Sequence, residues 1–153
     1  MRKRPRPLVV DLHPEAEAEI HRLATIAGEV ETGGLLLGWW DADQIVARQA
    51  VEVFDPAATS TSWTRDSRRS QHILERVLAT EQHPWLGYIG DWHTHPAPCG
   101  PSPQDNHSIC RASENYSHPL LLLVHRSDQM IEGRAAWHGQ SCPVTVHVLH
   151  PRK

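Results

Sequence analysis

Trp92-His93-Thr94-His95-Pro96 constrains the fold of this chain more than any other stretch, because imidazoles two residues apart on an extended backbone must share a face. The run from Trp85 to His95 has strand character, so His93 and His95 stand together near its end, while Thr94 points the opposite way. Trp92, also on that opposite face, is expected to be a packing residue. At a rise of about 3.3 Å per residue the two histidine Cα atoms lie roughly 6.5–7 Å apart, close enough for both rings to reach one ion at about 2.0–2.1 Å. The next segment is stiff: Pro96, Pro98, Pro101 and Pro103 each fix φ and bias the preceding residue toward extended conformations, which predicts an ordered turn. Ser102-Pro103 then reads as a helix start, with serine at the N-cap, proline first in the helix and Asp105 third. From that position the Asp105 carboxylate can cap the helix or turn back over the imidazoles, and the spacing permits either. Two imidazoles and a carboxylate form the ligand set of a catalytic zinc that keeps a fourth position for water. Zinc suits these donors better than iron or manganese, although geometry alone does not exclude those metals.

With 153 residues the chain is expected to form one domain, covering residues 8–153 behind a basic tail over 1–7. A formal net charge of -3 argues against a general nucleic-acid binder, and leaves Met1-Arg2-Lys3-Arg4-Pro5-Arg6 as a solvated tail. Leu8-Val9-Val10 gives way at once to Asp11, His13 and Glu15, too short an apolar run for an export signal. No stretch approaches the ~20 apolar residues of a membrane helix. Cys99, Cys110 and Cys142 are odd in number and lack paired spacing, so they read as reduced thiols in a cytoplasmic protein.

Hydrophobic periodicity predicts a strand over Leu8–Asp11 and a helix from Pro14 to about Ala27, stopped by Gly28. Gly34–Trp40 reads as a buried strand that turns at Asp41-Ala42-Asp43 into a further strand over Gln44–Phe54. Another extended piece is expected over Thr59–Thr64, and an amphipathic helix from about Asp66 to Thr80. A third helix runs from near Ser102 to Ala112 or Glu114, followed by strands over Leu120–His125, Met130–Trp137 and Val144–Leu149. This mixed order predicts a single-domain α/β sandwich with a mixed, largely antiparallel sheet and helices on its faces.

Glu31 lies just before Gly33-Gly34, where the glycines allow a tight turn and the close approach of another backbone. Alone it reads as a solvated loop acid beside Glu29. With His93, His95, Ser102 and Asp105 it completes the order glutamate, His-x-His, Ser-x-x-Asp, over roughly Val30 to Asn106. That pattern resembles the JAMM, or MPN+, metalloprotease family. Gly90-Asp91-Trp92-His93-Thr94-His95-Pro96 and the compact length look most like its prokaryotic JAB-type branch.

The resemblance implies a cytidine-deaminase-like α/β fold whose sheet carries a zinc ion at its edge, held by His93, His95 and Asp105. It implies Glu31 as general base and acid, and Ser102 Oγ as hydrogen-bond donor to the developing oxyanion. The implied reaction is peptide or isopeptide cleavage after the C-terminal tail of a ubiquitin-like protein, with that protein or its conjugates as partner. Some members of this branch sit in antiphage systems beside relatives of ubiquitin-activating and ubiquitin-conjugating enzymes, where they process or remove conjugates.

Several residues keep open readings. Asp91 shares the histidine face and can either accept a hydrogen bond from an imidazole or be a plain polar residue. Cys99 and His107 flank the motif as bystanders of a filled ligand set. The loops Pro56–Arg69 and Pro96–Pro101 can frame a groove for an extended tail bound by strand addition. Arg65, Arg68 and Arg69 read as a solvated helix start, with contact to acidic groups on a partner as the alternative. The rival functions are a zinc peptidase for small sulfur-carrier-protein adducts and a non-catalytic MPN-type scaffold, which typically lacks the metal residues. A nucleoside deaminase is excluded because Pro-Cys-x-x-Cys is absent.

Overall fold

Alternating burial fixes the first element. In β1 (Val9–Leu12) the side chains of Val10 and Leu12 are fully buried, while Val9 and Asp11 are partly exposed. The computed structural model describes residues 8–149, so the expected basic tail over 1–7 lies outside the described residues. Next comes α1 (Pro14–Ala27), with proline in its first turn and the His13 ring accepting the Glu15 N–H at the N-cap. Ala16, Ile20 and Leu23 form its buried stripe, and Gly28 ends it at φ 64, a conformation that costs glycine little.

β2 (Gly33–Asp41) and β3 (Gln44–Glu52) form the expected hairpin, with Ala42 at φ 54 in the turn. α2 (Ser67–Glu81) starts at Asp66, whose side chain accepts the Arg69 N–H. The remaining elements are β4 (Gly87–Thr94), α3 (Pro103–Ser113), β5 (Leu120–His125), β6 (Ile131–Trp137) and β7 (Gln140–Val148).

The strands are ordered β1-β3-β2-β4-β5-β6-β7 and close into a barrel, because β1 pairs with β3 on one side and β7 on the other. Both β1 pairings and the β4–β5 pairing are parallel, while the β2–β3, β2–β4, β5–β6 and β6–β7 pairings are antiparallel. The sheet is thus mixed and largely antiparallel, as expected, but closure removes the open edges that a sandwich implies. A zinc site at a sheet edge is therefore corrected. β4 lies between β2 and β5, with His93 near its C-terminal end and His95 the first residue beyond it.

Side-chain alternation divides the core. Leu36, Trp92, Leu121 and Leu123 pack with the buried stripe of α1. The intervening Leu35 and Leu37 meet α2, and Leu120, Leu122 and Val124 meet Ile109 of α3. Each fully buried leucine contributes about 1.5–3 kcal/mol by leaving water. Trp92 is fully buried, as its place opposite the histidines predicts, and its indole N–H donates to the Val51 carbonyl at 3.2 Å.

Two further expectations needed adjustment. Thr59–Thr64 forms no strand; its regular feature is an isolated bridge between Thr59 and Ser62. β7 begins four residues earlier than expected and contains Pro143. The proline is tolerated because β6 alone pairs with that stretch, and β1 joins only at Thr145. Among the described residues no helix is long and apolar enough to cross a membrane.

Candidate metal centre

Three chain segments meet at the C-terminal end of β4. The strand presents His93, the residue just past its end presents His95, the turn before β2 brings Glu31, and the first turn of α3 brings Asp105. The Nε2 atoms of His93 and His95 lie 3.2 Å apart, and Asp105 Oδ2 is 3.3 Å from each. A tetrahedral ion with bonds of about 2.0–2.1 Å would space its ligands about 3.3–3.4 Å apart, so this near-equilateral triangle fits zinc without rearrangement. Donor atoms of Glu31, His93 and His95 also fall within 4.8 Å of one another, which makes a second possible triad. Glu31 Oε1 is 3.7 Å from His95 Nε2, longer than any side of the triangle with Asp105. The triangle with Asp105 is thus the tighter of the two groupings, and Glu31 stands just outside it.

Local structure orients each member. A carbonyl can only accept, so His95 Nδ1–H donates to the Cys99 carbonyl at 3.0 Å and the ring turns Nε2 toward the centre. Cys99 thus contributes through its backbone. Its sulfur is 3.6 Å from His95 Nδ1, on the side of the ring away from the triangle. Asp105 does both things its position allowed: Oδ2 accepts the Ser102 N–H at 2.8 Å while also facing the two imidazoles. Ser102 Oγ in return accepts the Asp105 N–H at 3.0 Å, which completes a capping box. As an acceptor in that box, Ser102 retains its own hydroxyl proton for donation.

Glu31 is 5% exposed, which is unusual for a loop acid and departs from its isolated sequence reading. Its N–H donates to the Thr59 carbonyl at 2.8 Å. The next residue, Thr32, is fastened to β4 twice: its N–H reaches Thr94 Oγ1 at 3.0 Å, and its carbonyl accepts the Thr94 N–H at 2.8 Å. Gly33 shows why glycine follows. A Cβ there would lie 2.6 Å from the Trp92 carbonyl and 2.9 Å from both His93 Cβ and the Trp63 ring. Thr94 and Trp63, which stacks near His93 with centroids 6.3 Å apart, were missed by sequence reasoning. Thr94 had a signal in its placement between two ligand-type residues; Trp63 lies in an irregular loop and had none.

The electrostatics match a site built to hold a cation. Burial pushes the Glu31 carboxyl up, against the opposing pull of the His93 and His95 imidazoles. The hydrogen bond to Asp105 pushes His95 up to about 9 against burial, with help from the Cys99 carbonyl. Burial alone would raise Asp105, but hydrogen bonds from His93 and His95 outweigh it and hold the carboxyl well below its ordinary range. Without a metal, the triangle is therefore an ion pair in which a proton occupies the cation's place.

Asp91 does not accept from an imidazole. It binds Arg65 Nη1 at 3.0 and 3.3 Å and the Tyr88 hydroxyl at 2.8 Å. Arg65 is accordingly not part of a solvated helix start, whereas Arg69 donates to the Phe54 carbonyl. A cavity of about 230 Å³ adjoins the centre between the end of α1 and the ends of β4 and β5, touching Gly28, His95, Pro96 and His125. A larger cavity of about 500 Å³ lies among α1, β3 and α2 and touches none of Glu31, His93, His95 or Asp105, so volume does not mark the site.

Comparison with known proteins agrees with this layout. The family model described as prokaryotic homologs of the JAB domain matches residues 13–138. No curated protein matches the chain. The solution structure of a Desulfitobacterium hafniense protein is similar with a TM-score of 0.71 at 17% identity, covering 94% of each chain, a likeness of fold alone.

Proposed function

Because the chain belongs to the prokaryotic homologs of the JAB domain, we propose that it is a zinc-dependent peptidase or isopeptidase cleaving after the C-terminal tail of a ubiquitin-like protein. The observation that carries this reading is the triangle of His93 Nε2, His95 Nε2 and Asp105 Oδ2 at 3.2–3.3 Å, with the buried Glu31 carboxylate 3.7 Å from one corner. A scaffold would have no use for a buried acid beside two imidazoles, since taking such groups out of water carries a cost even when they are paired.

His93, His95 and Asp105 are the residues that would hold the ion. Zinc so held would supply Lewis acidity and would lower the pKa of water toward about 7. Glu31 accepts the proton of the attacking water and later delivers it to the departing amine, and burial, which pushes its carboxyl up, favours its holding that proton in between. Ser102 donates its free hydroxyl proton to the oxyanion, while its oxygen continues to accept from Asp105 N–H. Thr32 and Thr94 keep Glu31 level with the histidines through their paired hydrogen bonds.

The substrate class and setting follow from the resemblance of the motif. They include a cytoplasmic location, work on conjugates or precursors, and association with ubiquitin-activating-like and ubiquitin-conjugating-like enzymes in antiphage defence. The deciding experiment incubates purified protein with ubiquitin-like fusions, isopeptide conjugates and small sulfur-carrier adducts, with and without a chelator. Chelator-sensitive cleavage directly after the tail is the expected result. Cleavage of small adducts alone would favour the sulfur-carrier peptidase, and a metal-loaded protein inert on the whole panel would overturn the enzymatic reading.

A further inference from the structure

The segment between β3 and α2 has no regular secondary structure, yet it is held at both ends and in the middle. Asp55 closes it on itself: Oδ1 accepts the Ala57 N–H at 2.9 Å and Oδ2 the Thr64 N–H at 3.0 Å. Inside that closure the Thr59 N–H donates to the Ser62 carbonyl at 2.9 Å, and the outward Thr59 carbonyl accepts the Glu31 N–H at 2.8 Å. Trp63 lies between the loop and the metal centre, its indole N–H donating to the Val53 carbonyl at 3.1 Å and its ring near His93. The loop is therefore the surface against which the proposed base rests.

Its far end is tied down by one ion pair. Arg65 Nη1 meets Asp91 Oδ1 at 3.0 Å and donates to the Tyr88 hydroxyl at 2.7 Å, and that hydroxyl donates to Asp91 at 2.8 Å. The guanidinium also lies over the Tyr88 ring, 5.4 Å from its centroid. Asp91 and Tyr88 belong to β4, and Asp91 shares the strand face of His93 two residues on. One partner of the pair belongs to the loop that supports Glu31, and the other to the strand that presents the histidines. The pair is 30% and 23% exposed at its two side chains, so solvent screens it only in part.

We propose that Arg65 and Asp91 are a positioning pair: by pinning the 55–66 loop to β4 they set where Glu31 stands relative to His93 and His95, without binding the metal. The inference rests on Glu31 acting as the base of the proposed peptidase, but its structural core can be tested without turnover. The Glu31 amide reports on the loop because its acceptor is Thr59, and the Thr94 amide reports on the strand because its acceptor is Thr32.

The experiment measures amide hydrogen exchange and zinc affinity on the full chain for Arg65→Ala and for Asp91→Asn, the latter preserving side-chain shape. The expected result is Glu31 amide exchange at least ~10-fold faster with Thr94 exchange unchanged, since only the local opening of the loop becomes easier. Zinc affinity stays within about twofold of the parent, against the ~10–100-fold loss expected when a partner of a metal ligand is removed. If the peptidase reading holds, kcat falls by up to ~100-fold with KM little changed, as for a reacting group misplaced by about an ångström. Unchanged Glu31 exchange in both variants would overturn the proposal, and so would a loss of zinc affinity of ~10-fold or more. Because exchange and metal affinity need no substrate, an inert parent enzyme would count against the proposed function while leaving these two readouts to decide the positioning role.

Discussion

Asp105 and Ser102 hold each other in place: the aspartate's Oδ2 accepts the serine N–H at 2.8 Å, and the serine's Oγ accepts the aspartate N–H at 3.0 Å. The same Oδ2 stands 3.3 Å from each histidine Nε2, so the helix cap also preorganises the carboxylate. A carboxylate built on a capped helix start has its rotamer fixed in advance, which would lower the entropy cost of binding an ion there.

Removing the ligand and removing the base should therefore have separable effects. Asp105→Ala is expected to lose zinc at equilibrium dialysis together with ~0.5–2 kcal/mol of stability from the broken cap. Glu31→Gln is expected to retain one zinc per chain while kcat falls by ~10²–10⁴, the range for a lost general base. Metal analysis paired with a cleavage assay checks both. An Asp105→Ala protein that keeps full zinc would contradict its assignment as a ligand.

The pH dependence of the metal-free protein follows from His95. The hydrogen bond to Asp105 raises its pKa in the fold from an ordinary 6.5 to about 9. A raised folded value means that its stabilising contribution is full below pH 6.5 and disappears as pH climbs through about 9. Thermal melts of chelated protein should accordingly show Tm falling across that window, by a few degrees for each kcal/mol lost. Adding zinc should reverse the trend, because the metal takes the proton's place and binds more tightly as the ring deprotonates. Chelated protein whose Tm rises between pH 6.5 and 9 would refute the ion pair.

Much of this layout was legible because local rules and global fold agree. Pro14 and Gly28 bound α1 through their φ preferences, and Ser102-Pro103 starts α3 by joining a capping side chain to a proline in the first turn. His93 and His95 fell on one face because strand alternation leaves no other outcome. Closure of the barrel was not legible: β1 has four residues, and nothing in them says that both their sides are paired. The burial of Glu31 was also hidden, since it depends on Thr59, Thr32 and Thr94, which meet only through long-range pairing. Asp91 could be read as a partner for an imidazole because strand alternation gives its face but not its distant partner Arg65.

Ser102 serves as both cap and donor, and the two roles can be separated by substitution. Ser102→Ala should lose ~0.5–2 kcal/mol through the cap, whereas Ser102→Gly should lose only a few tenths, because glycine is tolerated at an N-cap. Both remove the hydroxyl, so both should cut kcat by ~10²–10³ if it donates to the oxyanion. Denaturant melts alongside kinetics make the comparison. Ser102→Gly with near-parental kcat would leave the serine a cap and nothing more.

Cys99 offers the clearest contrast between backbone and side-chain roles. Its carbonyl orients His95 through the 3.0 Å bond from Nδ1, while its sulfur lies 3.6 Å from that same nitrogen, on the outward side of the ring. A substitution that keeps the backbone should keep that orientation, so Cys99→Ala is expected to bind zinc within about twofold of the parent, well short of the ~10–100-fold loss when a ligand's partner is removed. Cys99→Pro should behave differently. Its ring would fix φ and remove the N–H that now donates to the Ala97 carbonyl at 2.9 Å, shifting the carbonyl that His95 needs. Competition with a chromogenic chelator measures both variants. Equal zinc loss in the alanine and proline proteins would point to the thiol itself and overturn the backbone role.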